Sequence, residues 1–439
     1  MASFPCVHHV EIGAVDGVRV VDLLTSQFTF KIKAKRQTAA ADQWLLVKEN
    51  ARVLVTCLRT AEAMLIKNDN FVINWAAPSN HSSNFPTLPV KDSVFNVAFE
   101  VKNIDSCLKR LNQQGVTFTK PLRTVHDGEG FIKTCMVKSC VGDIHHTLIE
   151  RTSYSGIFLP GFTPASDSDN TNYTTTDPML ECFDHVALAV DMDTSMAVID
   201  WYEKCFGMRR FLINREEDKD KGLVLSTNDV GLRLRAMEYW KCSEVGLMAP
   251  EEEGAENKLS MVIAEGLPPI PGSQDLSIVF TCLCSSEENQ IMSWLRQHGG
   301  PGIQHIAFTS RDIKQTVMNL SNLGVPFAKP PPPEYYTKNG RLDDIECVGE
   351  DVDVLKNNGI LIDTEADRLH ESSCNNSPTQ MGYLLQIFTK PLLPSDPFFL
   401  EIIQRKGATG FGSGNVAALY RSIQAYIVGE NISKPNMYD

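Results

Sequence analysis

Four short apolar runs punctuate the chain: VHHVEI at residues 7–12, VFNVAF at 94–99, FDHVALAV at 183–190 and IQHIAF at 303–308. Three of them open on a histidine, and the second has Asn96 in that place. Alternating or unbroken apolar residues over this length predict strands. Each run is followed by a segment of helical periodicity, such as IDSCLKRL at 104–111 and IKQTVMNL at 313–320, and then by glycine-bounded runs with strand character. The repeating unit therefore reads βαβββ. The starts near residues 7, 95, 184 and 304 are separated by 88, 89 and 120 residues, so the third copy carries an insertion. Repetition on this scale means duplicated domains rather than a solenoid.

Residues 163–178 (TPASDSDNTNYTTTDP) are polar, β-branched and bounded by proline, which is linker chemistry. The expected organisation is an N-terminal pair of modules over 1–162, a linker over 163–180 and a C-terminal pair over 181–439. The fold class is α+β, with four βαβββ modules paired into two open β-barrel domains. A second polar interruption at 370–380 separates the apolar runs at 359–362 and 382–388 and predicts a long exposed hairpin loop. After the glycine-rich stretch at 410–414, Val416, Leu419, Tyr420, Ile423 and Ile427 recur at helical spacing, predicting an amphipathic C-terminal helix.

With 439 residues, 43% hydrophobic and 22% charged, the composition is that of a globular protein and excludes disorder and fibres. The formal charge of −13 disfavours nucleic acid as a partner. The 12 cysteines contain no CxxC pair and read as reduced thiols of an intracellular protein. No apolar run approaches the roughly 20 residues that span a bilayer. The first basic residue is Arg19, so the N-terminus lacks the character of a standard transit peptide or secretory signal.

Candidate chemistry lies in the second half. His185 and His305 open equivalent strands, and Glu401 sits among apolar neighbours in FFLEII at 398–403. An ionised glutamate buried there must be protonated, ion-paired or metal-bound, because uncompensated burial costs several kcal/mol. Two imidazoles and one carboxylate make the facial triad of mononuclear non-haem Fe(II) oxygenases. The competing reading has two packed strand histidines and a Glu401–Arg405 ion pair. His8, His9, His145 and His146 suggest a second metal site, but Asn96 replaces the histidine it would need, and structural roles are expected there.

The stretch at 383–415 (YLLQIFTKPLLPSDPFFLEIIQRKGATGFGSGN), with GGPGIQHIAF at 299–308, RTSYSGIFLPGF at 151–162 and MVIAEGLP at 261–268, resembles the 4-hydroxyphenylpyruvate dioxygenase family, in particular its animal dioxygenase-like members. The resemblance runs from about residue 5 to about 425 and implies the vicinal oxygen chelate, or glyoxalase-like, fold. It places the Fe(II) ligands on His185, His305 and Glu401, and active-site glutamines on Gln304 and Gln386. Phe388 falls on the aromatic residue that faces the substrate ring, while Phe411 and Asn415 fall on the terminal gate. Three departures bear on the substrate: Leu234 lies in a strand where the family has a serine, Val262 and Ala264 replace a Pro-x-Asn, and Val416 replaces a ring-stacking phenylalanine.

The resemblance thus implies a dioxygenase using 4-hydroxyphenylpyruvate and O2, and its aliphatic substitutions are similar to those of 4-hydroxymandelate synthases. The expected products are 4-hydroxymandelate and CO2, feeding the ubiquinone ring precursor in the mitochondrion; a cytoplasmic location is the alternative. A homodimer is compatible with the family. Three further readings stand beside this one: a homogentisate-forming enzyme of tyrosine catabolism, a non-catalytic binder of aromatic keto acids, and a glyoxalase-like lyase.

Overall fold

The computed structural model describes residues 7–59, 91–170, 178–214, 217–227, 230–248, 260–268, 289–337, 341–365, 382–412 and 415. The N-terminal half contains β1 (Val7–Ala14), β2 (Lys31–Gln37), β3 (Ala41–Lys48), β4 (Ala51–Leu58), β5 (Ser93–Glu100), β6 (Phe118–Asp127), β7 (Gly130–Lys138), β8 (His145–Glu150) and β9 (Thr163–Pro164). The C-terminal half contains β10 (Leu180–Val190), β11 (Arg209–Phe211), β12 (Leu223–Thr227), β13 (Val230–Glu238), β14 (Ser260–Leu267), β15 (Gly302–Ser310), β16 (Leu361–Glu365), β17 (Gly382–Phe388) and β18 (Phe399–Lys406).

Each module's first strand leads into a helix: α1 (Gly17–Ser26), α2 (Ile104–Gln113), α3 (Ser195–Phe206) and, after the additional α4 (Gln290–His298), α5 (Ile313–Asn322). The polar residue after three of these strands explains the abrupt change. Asp16, Asn103 and Asp312 each accept a hydrogen bond from the backbone N–H three residues on, satisfying a donor that the first helical turn leaves free. The fourth module adds α6 (Arg341–Cys347) and α7 (Val352–Asn358), and the long third module carries α4 and the extra strand β12. The expected βαβββ unit is present four times.

The N-terminal sheet has the order β6-β7-β8-β5-β1-β4-β3-β2-β9, and the C-terminal sheet β11-β13-β14-β10-β15-β18-β17-β16, with β12 on β13. In each sheet the first strands of two modules meet antiparallel at the centre, β1 with β5 and β10 with β15. Each also runs parallel to the last strand of its own module, as β1 does with β4 and β15 with β18. The recurrent apolar runs are therefore central strands buried on both faces, which is why they read as nearly continuous hydrophobic sequence.

The N-terminal sheet extends past the expected boundary at 162, because β9 pairs with β2 and the Asn170 side chain bonds both backbone groups of Ile32. The 370–380 loop and the C-terminal helix beyond Asn415 lie outside the described residues. No described helix is long and apolar enough to cross a membrane.

The inner faces of the two sheets are filled differently. In the N-terminal half Tyr154, Phe158, Leu159 and Phe162 pack onto Ala34, Leu45, Leu54 and Ala98. In the C-terminal half Ala187, Ala189, Leu234, Val262 and Ala264 form a low apolar floor with Trp294 and Phe411 above it. Between the halves lies a shared core in which Phe30 meets Phe308 and Phe99 meets Phe206. A buried polar joint crosses the same boundary, where Tyr202 Oη lies 2.9 Å from His146 Nε2 and 3.1 Å from Ser139 Oγ.

Candidate metal centre and ligand pocket

Strand register brings the three distant candidates together. His185 stands opposite Ala307 on β15, and Ala307 stands beside Glu401 on β18, so one lateral row carries His185, Ala307 and Glu401. His305 lies two residues before Ala307 on the middle strand, opposite Ala187. The small side chains of Ala187 and Ala307 leave the space into which the two rings and the carboxylate converge. Glu401 Oε2 lies 3.3 Å from His185 Nε2 and 3.3 Å from His305 Nε2. All three residues are buried, and their ligand atoms lie within 4.8 Å of one another.

A β-bulge precedes each histidine. Phe183 pairs with Phe308 and His185 with Ala307, so Asp184 is an extra residue on β10; in the same way Gln304 is extra on β15. A bulge re-aims the side chains around it, and here the extra residue backs the neighbouring ring. Asp184 Oδ1 accepts from His185 Nδ1 at 2.8 Å, and Gln304 Oε1 from His305 Nδ1 at 3.2 Å. With both Nδ1–H groups engaged, each Nε2 turns a lone pair toward Glu401. Two lone pairs facing a carboxylate require a cation between them.

Arg405 does not supply it. The Glu401–Arg405 pair that the sequence allowed is absent, since Arg405 forks onto Asp184 with Nε to Oδ2 and Nη2 to Oδ1, both at 2.8 Å. Glu401 instead has His185, His305 and the Gln386 amide, whose Nε2 lies 3.4 Å from Oε1. Burial opposes a charged imidazole, but Glu401 and Asp184 together outweigh it at His185, which is raised to about 9. At His305, which faces one carboxylate and an amide, burial prevails and the pKa is lowered. Burial would raise Glu401, yet the two imidazoles hold it below its ordinary value. Without a metal, then, His185 provides the cation as a proton. A divalent transition metal satisfies the same two nitrogens and one oxygen more fully, and the donor set fits Fe(II).

Beside this cluster lies a cavity of about 60 Å³, several times the ~10–15 Å³ needed by one water molecule. The sequence-selected residues Gln304, Gln386, Phe388, Leu234, Val262, Ala264 and Phe411 all line it with the three cluster residues. Phe411 stands edge-on to His185 at 4.9 Å, and Phe399 stacks on His305 at 4.8 Å. Asn415 is fully buried; its Nδ2 donates to Gln386 Oε1 at 3.1 Å and its Oδ1 accepts from Tyr335 Oη. Val416 lies outside the described residues.

Sequence reasoning missed Ala187, Gln290 and Ile291 in the lining, which also includes Leu232 of the strand that carries Leu234. Gln290 and Ile291 open α4, whose Ile291, Trp294, Leu295 and His298 repeat at the helical spacing that would have revealed it. It also missed the Asp184–Arg405 pair, whose partners are far apart in sequence.

The N-terminal half uses the same scaffold for another purpose. His9 pairs with Ala98 as His185 does with Ala307, and bulges at His8 and Phe95 precede His9 and Asn96. Asn96 pairs with His145 as His305 pairs with Phe399, so Thr147 corresponds to Glu401. Here a hydrogen-bonded cluster fills the space: Glu11 accepts from Thr56 at 2.6 Å and from Asn96 at 2.8 Å, and the Asn96 amide also donates to Thr147 at 2.8 Å. His8 and His9 contact each other through Nδ1, while His145 and His146 bond backbone carbonyls. Among the described residues, the cluster of His185, His305 and Glu401 is where three metal-ligating groups converge.

Comparison with known proteins agrees with this architecture. Residues 183–353 match the glyoxalase/bleomycin resistance protein/dioxygenase superfamily. A 4-hydroxyphenylpyruvate dioxygenase-like protein of Rattus norvegicus is 30% identical over 334 residues, covering 76% of this chain and 77% of that protein. A 4-hydroxyphenylpyruvate dioxygenase of Coccidioides posadasii is 32% identical over 343 residues, covering 76% and 71%. A mutant 4-hydroxymandelate synthase from Streptomyces coelicolor superposes with a TM-score of 0.65 at 21% identity, over 97% of this chain and 100% of that one, and so shares the vicinal oxygen chelate fold.

Proposed function

Because the chain belongs to the 4-hydroxyphenylpyruvate dioxygenase family, we propose that it is an Fe(II)-dependent dioxygenase converting 4-hydroxyphenylpyruvate and O2 to 4-hydroxymandelate and CO2. The observation that carries this reading is a buried cluster of two imidazoles and a carboxylate opening onto a pocket whose wall is aliphatic at Leu234, Val262 and Ala264. His185, His305 and Glu401 are the residues that would hold the metal. Fe(II), when bound, supplies the activation of O2 that drives oxidative decarboxylation of a chelated 2-keto acid. In the net reaction C1 leaves as CO2, one oxygen atom joins C2 in the new carboxylate, and the other becomes a hydroxyl on the benzylic carbon.

The chain's own contribution is orientation. The Gln304 and Gln386 amides border the ligand cluster and present hydrogen-bonding groups to a keto acid. Phe388 and Phe411 supply apolar ring contacts on either side of the histidines. At the far wall the leucines, valine and alanine offer no hydrogen bond to a phenol, so the ring's depth is set by packing. Smaller side chains there let the substrate's side chain slide until the benzylic carbon lies nearest the reacting centre, and the resemblance adds Val416 in place of a ring-stacking phenylalanine. A shift of about 1 Å is enough to redirect or slow a bound reaction by large factors.

The test is to load the protein with Fe(II), add 4-hydroxyphenylpyruvate without oxygen, admit O2, and identify the product chromatographically against both hydroxy acids. Hydroxymandelate is expected. Homogentisate would replace the reading with the ordinary tyrosine-catabolic reaction, and no turnover by iron-loaded protein would leave a keto-acid binder. The proposed place in metabolism, supply of the ubiquinone ring precursor in the mitochondrion, rests on family resemblance. Purified mitochondria lacking the protein would overturn it.

A further inference from the structure

The two histidines of the cluster are backed unequally. His305 leans on a neutral amide, whereas His185 leans on a carboxylate that is locked in turn by an arginine. We infer that Arg405 is a positioning residue that couples the orientation of His185 to the seating of residues 409–412 over the pocket. This rests on His185 being a metal ligand, as proposed above.

The contacts form a closed ring. Asp184 Oδ1 accepts from both His185 Nδ1 and Arg405 Nη2 at 2.8 Å, and Oδ2 accepts from Arg405 Nε at 2.8 Å. The remaining guanidinium nitrogen, Nη1, donates to the carbonyl of Gly410. The guanidinium carbon lies 5.3 Å from the centre of the Phe411 ring, and that ring stands against His185 at 4.9 Å, which returns to the starting point. Because a guanidinium is planar, its fork onto Asp184 fixes the direction of Nη1. The Asp184 carboxylate and the Gly410 carbonyl therefore cannot move independently. Glu365 holds the other side of the segment, accepting from the N–H groups of Thr409 and Gly410 at 2.9 and 2.7 Å.

A metal that fixes His185 Nε2 fixes the ring and, through Asp184 and Arg405, the segment carrying Phe411. By reciprocity, seating that segment tightens metal binding. Among the described residues, His305 has no corresponding route through Gln304. Arg405 thus does what a bare carboxylate–histidine pair does not, joining the metal site to the pocket's cover.

The experiment measures Fe(II) binding to the full chain without substrate or oxygen, by chelator competition, in Asp184→Asn, Arg405→Gln, Arg405→Lys and the Asp184→Asn/Arg405→Gln double variant. Each glutamine or asparagine variant is expected to raise Kd about 10–100-fold, the usual range for lost backing of a ligating histidine. The double variant should lie within about threefold of the weaker single one, because the two residues act in series. Lysine keeps the charge but not the fork and should fall between wild type and glutamine; it carries the test if glutamine prevents folding. Hydrogen exchange supplies a readout that a merely structural role would not move: saturating metal should slow the amides of 410–412 in wild type and not in Arg405→Gln. Wild-type Kd with retained protection in the Arg405 variants, or multiplicative losses in the double variant, would overturn the coupling while leaving the proposed function intact. Wild-type protein that binds no Fe(II) would overturn both.

Discussion

Adding one methyl group at Gly412 should disturb the candidate site through Gln386. Gly412 sits at φ +67°, and a Cβ there would lie 1.8 Å from Gln386 Oε1 and 2.8 Å from its Cδ. The left-handed backbone costs a residue with a Cβ about 1–2 kcal/mol. The overlap is a separate matter, since ordinary contact requires the amide to retreat by more than about 1 Å. Gln386 has no slack: it is buried and joined to both Asn415 and Glu401. A displacement of that size next to the reacting centre costs on the order of 100-fold in rate. Gly324 provides the control, at φ +83° with nothing within 4 Å of its added Cβ. Gly324→Ala should lose about 1–2 kcal/mol by denaturant titration, and Gly412→Ala that amount plus the cost of forcing a buried amide aside, about 1–3 kcal/mol. Turnover of 4-hydroxyphenylpyruvate should distinguish them, with kcat/KM falling roughly 10–100-fold in Gly412→Ala and staying near wild type in Gly324→Ala. A Gly412→Ala enzyme with unchanged kcat/KM would refute the reasoning that displacing the Gln386 amide disturbs the reacting centre.

His305→Ala should abolish both iron uptake and product formation, measured as metal content after anaerobic loading and as product by chromatography; stoichiometric iron would remove His305 from the ligand set. Val416→Phe should move the product from hydroxymandelate toward homogentisate, and an unchanged ratio would remove that position from control of regiochemistry. His298 lies between Asp396 at 2.6 Å and Asp143 at 3.3 Å, with Lys91 bonded to its carbonyl; burial lowers its pKa, but the two carboxylates outweigh burial and raise it. Its stabilising contribution is therefore complete below the ordinary value of 6.5 and is lost as pH rises through the raised one. Unfolding free energy should decline on the alkaline side of 6.5 in wild type and decline less in His298→Gln; parallel pH curves would contradict this.

Module count, strand order within modules and the three cluster residues were legible because duplication placed His185 and His305 at equivalent strand starts, and because a lone Glu401 in an apolar strand demands a partner. What joins them was not legible. Spacings of about a hundred residues say nothing about lateral register, and only the pairing of β10, β15 and β18 puts Glu401 beside both rings. The competing Glu401–Arg405 pair does not form for a related reason: Arg405 is close in sequence to Glu401, but it forks onto Asp184, the extra residue of the β10 bulge. Gln290 and Ile291 escaped notice because a pocket lining is assembled from single residues on several elements, each unremarkable in its own segment.

An inserted residue is inherited differently from a side chain. A ligand is removed by a single substitution, and the equivalent positions 96 and 147 hold asparagine and threonine where 305 and 401 hold histidine and glutamate. A bulge disappears only by deletion, which would turn every residue beyond it to the opposite face of a strand buried on both sides. All four central strands keep theirs, at His8, Phe95, Asp184 and Gln304. The half whose equivalent positions are filled by Glu11 and its partners thus aims its side chains with the same bulges while carrying a hydrogen-bonded cluster in place of the two histidines and the carboxylate. The bulge is therefore a property of the scaffold, and the chemistry it aims is set separately by the residues on either side of it.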